Sequence, residues 1–173
     1  MSAIVFKASM DKMTKIVTIG VALLIVAVTI VPAALDGFTD LSLMFLMIPT
    51  IVVLGLAYIW APRHYEIHKD RVVVVRTIGK VEIPRKDITS VTLPGKAAMA
   101  KTVRTFGVGG FFGYYGSFYN ATLGNMTWYA TRRSQPVLLV TQNKKILLTP
   151  DDVPRFVREL GGAEPDSQSV VKN

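Results

Sequence analysis

Apolar residues fill most of the first third of the chain in long unbroken runs, and strict alternation follows. Residues 16–35, "IVTIGVALLIVAVTIVPAAL", are twenty consecutive positions without a charge, and residues 41–62, "LSLMFLMIPTIVVLGLAYIWAP", form a second such run. A helix of twenty residues rises about 30 Å, the thickness of a bilayer's hydrocarbon core. Only "DGFTD" separates the runs, which predicts a transmembrane helical hairpin over residues 16–60. A buried helix pair in a soluble protein is the weaker alternative, because the rest of the chain is too small and polar to cover both helices all round. A cleavable signal peptide is another: Lys12 and Lys15 imitate a basic leader, and Ala33 and Ala34 a cleavage site. The second run argues against it, since cleavage would strand that run as a lone span. Pro49 is expected to kink the second helix by removing a backbone donor. Tyr58 and Trp60 suit an aromatic interface belt.

After residue 62 the period changes to two. "HYEIHKDRVVVVRTIGK" reads as strand, turn at Lys69-Asp70, strand, with β-branched Val72, Val73, Val74 and Val75 as a sheet interior prefers. "KVEIP", "ITSVTLP", "MTWYATR", "PVLLVTQ" and "KKILLTP" supply further short strands, the last two joined by "QNKK". "IVFKA", residues 4–8, is a candidate extra strand ahead of the first apolar run. In "TPDDVPRFVRELGG", Asp152 suits an N-cap, Pro154 the first turn and Gly161 a stop. Val153, Phe156, Val157 and Leu160 repeat at i, i+3, i+4 and i+7, one apolar stripe of a helix. The tail, residues 163–173, reads as disordered.

Charge sets the expected orientation. Lys7, Lys12 and Lys15 precede the first run and Arg63, Lys69 and Arg71 follow the second, whereas the connecting turn holds Asp36 and Asp40. The positive-inside bias places both termini in the cytoplasm. The absence of cysteine agrees with a reducing compartment without testing it. Asn120 and Asn125 match glycosylation acceptors, which mean nothing on a cytoplasmic domain. The net charge of +8 equals that of the part after residue 60, and between Ile83 and Thr149 nine bases meet one acid, Asp87. Such a surface beside the inner leaflet has anionic phospholipid as its nearest partner.

Several of these stretches, in this order, carry a resemblance. "YEIHKDRVVVVRTIGKVEIPRKDITSV" resembles the opening of bacterial pleckstrin-homology-like (bPH) domains: a hairpin, a glycine, then an "I-P-x-x-x-I" run. "RTFGVGGFFGYYGSF", "LGNMTWYAT" and "ILLTPDDVPRFVREL" look like the later part of a membrane-anchored subgroup in which a transmembrane hairpin precedes the domain. The resemblance covers roughly residues 63–160 and implies a PH-like fold without any assigned activity. Eukaryotic phosphoinositide binding is not carried over, because the first hairpin turn holds only Lys69, Asp70 and Arg71. The expected architecture is a membrane-anchored α+β protein. Residues 1–15 form a cytoplasmic segment and 16–60 the hairpin; 61–162 form a small PH-like β-barrel or curved antiparallel sheet closed by a C-terminal amphipathic helix.

The chemistry-bearing candidates are few. In "RTFGVGGFFGYYGSF" Gly107 and Gly109 start a dinucleotide fingerprint, but Phe112 stands where its third glycine belongs, and no lysine follows for a Walker loop. No helix N-terminus follows to hold a phosphate. Gly107, Gly109, Gly110, Gly113 and Gly116 are instead expected to permit positive-φ turns and bulges. Phe111, Phe112, Tyr114 and Tyr115 either wedge among headgroups or pack under the sheet's own edge. His64, Glu66 and His68 share one strand face, but two imidazoles and one carboxylate without further ligands read better as a polar face than as a zinc site. Without a thiol or a G-x-S-x-G elbow, a hydrolase is only a remote alternative.

Lys101, Arg104, Arg132, Arg133, Lys144 and Lys145 are the candidate lipid- or partner-binding bases. Each contributes about 1 kcal/mol near an anionic leaflet, and a tether makes such weak contacts sufficient to orient a domain. The expected function is therefore non-enzymatic: a membrane module, without cofactor, metal or nucleic acid, that binds lipid headgroups or a protein partner. The alternative is an assembly subunit that pairs through its sheet edges or with copies of itself.

Overall fold

The structure, a computed structural model, describes residues 3–36 and 40–162, with the side chains of 29, 31–36, 40–44 and 46 outside that description. The tight turn expected within 36–40 and the tail expected over 163–173 fall largely or wholly outside it.

The chain begins with strand β1 (Ile4–Lys7), followed by helices α1 (Lys12–Asp36) and α2 (Asp40–Trp60). Strands β2 (Pro62–Ile67), β3 (Arg71–Arg76) and β4 (Lys80–Pro84) come next, then a 3-10 turn over Arg85–Asp87, β5 (Ile88–Thr92) and the short α3 (Lys96–Met99). The remainder is β6 (Val103–Gly109), β7 (Tyr114–Asn120), β8 (Gly124–Ala130), β9 (Val137–Thr141), β10 (Lys145–Leu148) and α4 (Val153–Glu159). One sheet has the order β1-β2-β3-β4 and the other β5-β9-β10-β8-β7-β6. All pairings are antiparallel except β10 with β8. This is the sheet-rich α+β arrangement expected of a PH-like fold.

Alternation decides which face is buried. Tyr65, Ile67, Val72, Val74 and Ile83 of the first sheet meet Val137, Leu139, Ile146 and Leu148 of the second, and α4 closes the space with Val153, Phe156 and Val157. The helix stripe read from the sequence is thus the inward one. Its N-cap is Asp152, whose carboxylate accepts from the Arg155 amide at 3.2 Å. The outer face of the second sheet carries a smaller core in which Phe118 stacks on Trp128 at 4.2 Å.

One expectation needs correction: alternation marks seven strands after the helices, whereas nine stand there among the described residues, the pattern of β6 and β7 being interrupted by glycines. The sheet of β2 also takes in a strand that precedes the helices. Ile4↔Ile67 and Lys7↔His64 are paired, so β1 is an edge strand of the domain, and Phe6 is buried edge-on to Phe156 at 5.0 Å. The helix pair is an excursion between two neighbouring strands.

Register gives the domain two ends. β1 and β3 run toward the end where the helices emerge and β2 leaves it, which places the β3–β4 turn there as well. In the second sheet Gly109, Tyr114 and Ala130 lie at one end of the β6-β7-β8 ladder and Val103, Asn120 and Gly124 at the other. The first of these is the helix end. Seven-residue strands separate the two by about 20 Å.

Helices α1 and α2 are 25 and 21 residues long, and side chains such as Ile16, Ile19, Leu23, Ile51 and Val53 point outward, exposed. Among the described residues, no helix is long and apolar enough to cross a membrane. The apolar runs of both helices continue into residues 31–44, whose side chains are not described.

Candidate functional site

The glycine-aromatic stretch forms the β6–β7 hairpin, and its tip reaches the helices. The tip closes with the Gly110 amide donating to the Gly113 carbonyl at 2.8 Å. Phe112 sits at φ 56, which turns its amide toward α1, where it donates to Thr18 Oγ1 at 2.9 Å. Its ring meets Tyr58 of α2 edge-on at 5.3 Å and Phe111 at 4.5 Å. The Tyr115 hydroxyl donates to the Ala57 carbonyl of α2, and burial pushes that hydroxyl's pKa upward.

The other side of the helix pair is tied as firmly. Asp11 caps α1 by accepting from the Thr14 amide at 2.7 Å, and the buried Thr14 hydroxyl donates to the Thr131 carbonyl at 3.1 Å. Ser9, in the link from β1, donates from its amide at 3.0 Å and its hydroxyl at 2.5 Å to the Asp151 carboxylate. Arg132 closes the group through Asp151 and, at 2.5 Å, through the Pro150 carbonyl. Burial raises the Asp151 pKa, but Ser9 and Arg132 together outweigh it and hold the carboxyl below its ordinary value. At the end of α2, Thr77 donates to the Tyr58 carbonyl at 3.3 Å and the Ile78 amide to that of Ile59 at 3.4 Å.

Between these ties lies a cleft of about 300 Å³, lined by Ser9, Lys15, Tyr58, Arg63, Phe112 and Thr131 among others. The Arg63 guanidinium lies 4.4 Å from the Tyr58 ring centroid, and its Nε donates to Thr77 Oγ1 at 2.9 Å. Among the described residues, no carboxylate pairs with Lys15 or Arg63.

The sequence candidates do not share one location. Phe111 and Phe112 are half-buried at the tip. Tyr114 and Tyr115 are buried and leave the surface set, Tyr114 facing Trp128 and Tyr115 facing α2. Arg132 is buried too and neutralised by Asp151, whereas exposed Arg133 lies 5.3 Å from the Tyr114 ring centroid. Lys101, Lys144 and Lys145 fall at the opposite end of the domain, where Lys145 donates to the Leu123 carbonyl at 2.6 Å. Exposed Arg104 starts near that end, but its side chain extends back along the strand, 3.3 Å from where a β-carbon on Gly109 would stand. The six bases therefore do not form one patch. Of the glycines, Gly107, Gly110, Gly113 and Gly116 have positive φ, as a turn-and-bulge role requires; Gly109 does not. Lys15 and Arg63 entered the sequence reading for orientation and as a possible leader, not as a site; they lie 48 positions apart, and the fold brings them to one cleft.

Glu66 accepts from Nε2 of His64 at 3.2 Å and of His68 at 3.1 Å. The His68 bond, with His64 and Lys80, holds the Glu66 carboxyl below its ordinary pKa against the opposing effect of burial. Among the described residues, no group of three or more such side chains is placed to hold a metal.

The sequence profile of the bacterial PH domain matches residues 63–163, from the start of β2 to just beyond α4. The chain belongs to the bacterial PH domain family. No curated protein and no solved structure matches it. The matched region begins after β1 and both helices, so the cleft straddles its N-terminal boundary. Arg63 is supplied by the domain and Lys15 by the helix pair.

Proposed function

We propose that this bacterial PH domain is a non-enzymatic module of the inner membrane, anchored by α1 and α2 and oriented so that its helix end meets anionic headgroups on the cytoplasmic side. One observation carries the reading: both helices leave from neighbouring strands of one sheet and are hydrogen-bonded to two hairpin turns. A domain tied at four points cannot swing on its anchor, so the same end always faces the leaflet. Outward apolar side chains along both helices and the half-buried Phe111 and Phe112 at their base suit acyl and headgroup surroundings respectively. Lys12, Lys15 and Arg63 are exposed at the same level, where each base favours an anionic leaflet by about 1 kcal/mol. The domain's family relationship supports lipid or protein binding in general.

Alkaline carbonate extraction of membranes holding the full chain tests the anchor, with a reporter fused to the C-terminus testing orientation. The chain is expected to stay in the pellet with the reporter active only in the cytoplasm. Release into the wash, or periplasmic reporter activity, defeats the proposal.

A second reading, pairing with a protein through a sheet edge, is favoured by β6. That strand ends its sheet and leaves Phe106 75% exposed. Site-specific crosslinking from position 106 in native membranes tests it; no adduct other than lipid is expected if the first reading alone holds.

A further inference from the structure

We infer that the cleft at the base of the helices is a binding site for one phosphate ester, gripped between Lys15 and Arg63, and that the ligand is the headgroup of an anionic glycerophospholipid. The inference rests on the membrane reading above and gives it a specific ligand class and address.

The polar groups of the cleft favour this ligand. The Ser9 hydroxyl is committed to Asp151 and the Thr131 hydroxyl donates to the Ser9 carbonyl at 2.9 Å. Asp151 is neutralised by Arg132, and Asp11 uses a carboxylate oxygen as the cap of α1. Lys15 and Arg63 are left as the cationic donors without an acidic partner among the described residues. Stacking on Tyr58 and the Thr77 hydrogen bond hold Arg63 in place, a preorganisation that a phosphate oxygen exploits through the guanidinium fork.

The walls identify the rest of the molecule. Tyr58 and Phe112 line the cleft, and Ile16 and Trp60, next in sequence to its residues Lys15 and Ala61, lie exposed on the helices. A ligand with a phosphate at one end and hydrocarbon at the other satisfies both. The volume of about 300 Å³ is at the small end for ligand pockets and holds a head, not the tails. An acidic peptide would bring several charges to a cleft that offers two.

The test uses the full chain in nanodiscs of equal phosphatidylglycerol and phosphatidylcholine, with bound lipid read by native mass spectrometry. Wild type is expected to retain phosphatidylglycerol preferentially. The Lys15→Gln, Arg63→Gln double variant should reduce that preference by roughly thirtyfold at low salt, the loss of two surface charges. Lys144→Gln, Lys145→Gln at the far end should leave it intact. Arg63→Lys in a Lys15 background keeps the charge and should retain part of the preference, which guards against a misfolded double variant. Equal retention of the two lipids by wild type, or an unchanged preference in a folded double variant, overturns the site. Glycerol phosphate and inorganic phosphate, titrated into the detergent-purified chain, separate the sources. Competition by either at concentrations matching the lipid supports the phosphate grip but overturns the lipid assignment. A chain stripped from membranes by carbonate fails the anchor alone, because the soluble-phosphate arm still reads the cleft.

Discussion

Gly107 of β6 and Gly116 of β7 face each other across the hairpin so closely that a β-carbon on Gly107 would lie 2.8 Å from the Gly116 Cα. The reverse contact is also 2.8 Å, and each new carbon would approach a partner-strand carbonyl oxygen more closely still. Both residues have positive φ, 104 and 121. The obstructing atoms are backbone and cannot rotate away, so alanine at either position must open the ladder. Strained dihedrals alone cost about 1–3 kcal/mol, and the steric conflict adds to that. Gly161, at φ 76 with no neighbour within 4 Å of its would-be β-carbon, isolates the dihedral contribution. Thermal unfolding of the three alanine variants is expected to show Gly107→Ala and Gly116→Ala far below Gly161→Ala; equal losses would mean that the close approach has no energetic weight.

This pair also explains where sequence reading stopped. Val72, Val74, Tyr65 and the Val153-Phe156-Val157 stripe obey a simple period, because each faces one core and nothing else. β6 and β7 do not, since their glycines are set by what stands across the hairpin, information that no local pattern holds. Tyr114 and Tyr115 are successive residues that bury on opposite faces, which a one-sided pattern cannot express. The family and the two long helices were legible in the sequence. The pairing of residues 4–7 with β2 was not, because 54 residues intervene between their ends, and with it went the cleft.

The fragment 61–162 should be poorly folded. It lacks β1, which removes Phe6 from its contact with Phe156 and bares one edge of β2. Deleting a buried phenylalanine alone costs about 3–5 kcal/mol, on the order of half a small domain's stability. Adding residues 1–10 through a short linker in place of the helices should restore a cooperative melt. If the bare fragment melts as cooperatively as the linked version, β1 is dispensable.

Arg132 and Arg133 should behave differently despite being neighbours. Arg132→Ala leaves Asp151 without its cationic partner at a site that fastens α1's leading segment, and a loss of about 1–3 kcal/mol is expected. Arg133→Ala removes an exposed side chain and should stay within about 0.5 kcal/mol. Because Asp151 is held below its ordinary pKa, its contribution is present above the unfolded-state value and is lost as pH falls through the folded one. Asp151→Asn should therefore flatten the acid limb of the stability curve. Chemical denaturation at several pH values measures both effects, and equal losses for the two arginines would refute the assignment of Arg132 to the interior.

Tyr65 should make the domain sensitive to alkali. Its ring is buried against Phe156, and its hydroxyl donates to the Tyr129 carbonyl at 2.6 Å while accepting from the Thr149 amide at 3.2 Å. Burial, opposed by the Thr149 contacts, pushes its pKa up from 10.0 to about 12. The folded state therefore holds this proton over a range in which the unfolded chain releases it, and folding stability falls as pH rises from 10 toward 12. Tyr115 and Tyr129 are shifted in the same direction, so the wild-type curve alone does not identify the group. Tyr65→Phe does. At neutral pH it should cost about 1–3 kcal/mol for each partner left unsatisfied, and above pH 10 its disadvantage should shrink, because wild type loses a contribution that the variant never had. If the two stability curves stay parallel to pH 12, the Tyr65 proton is not the one held by the fold.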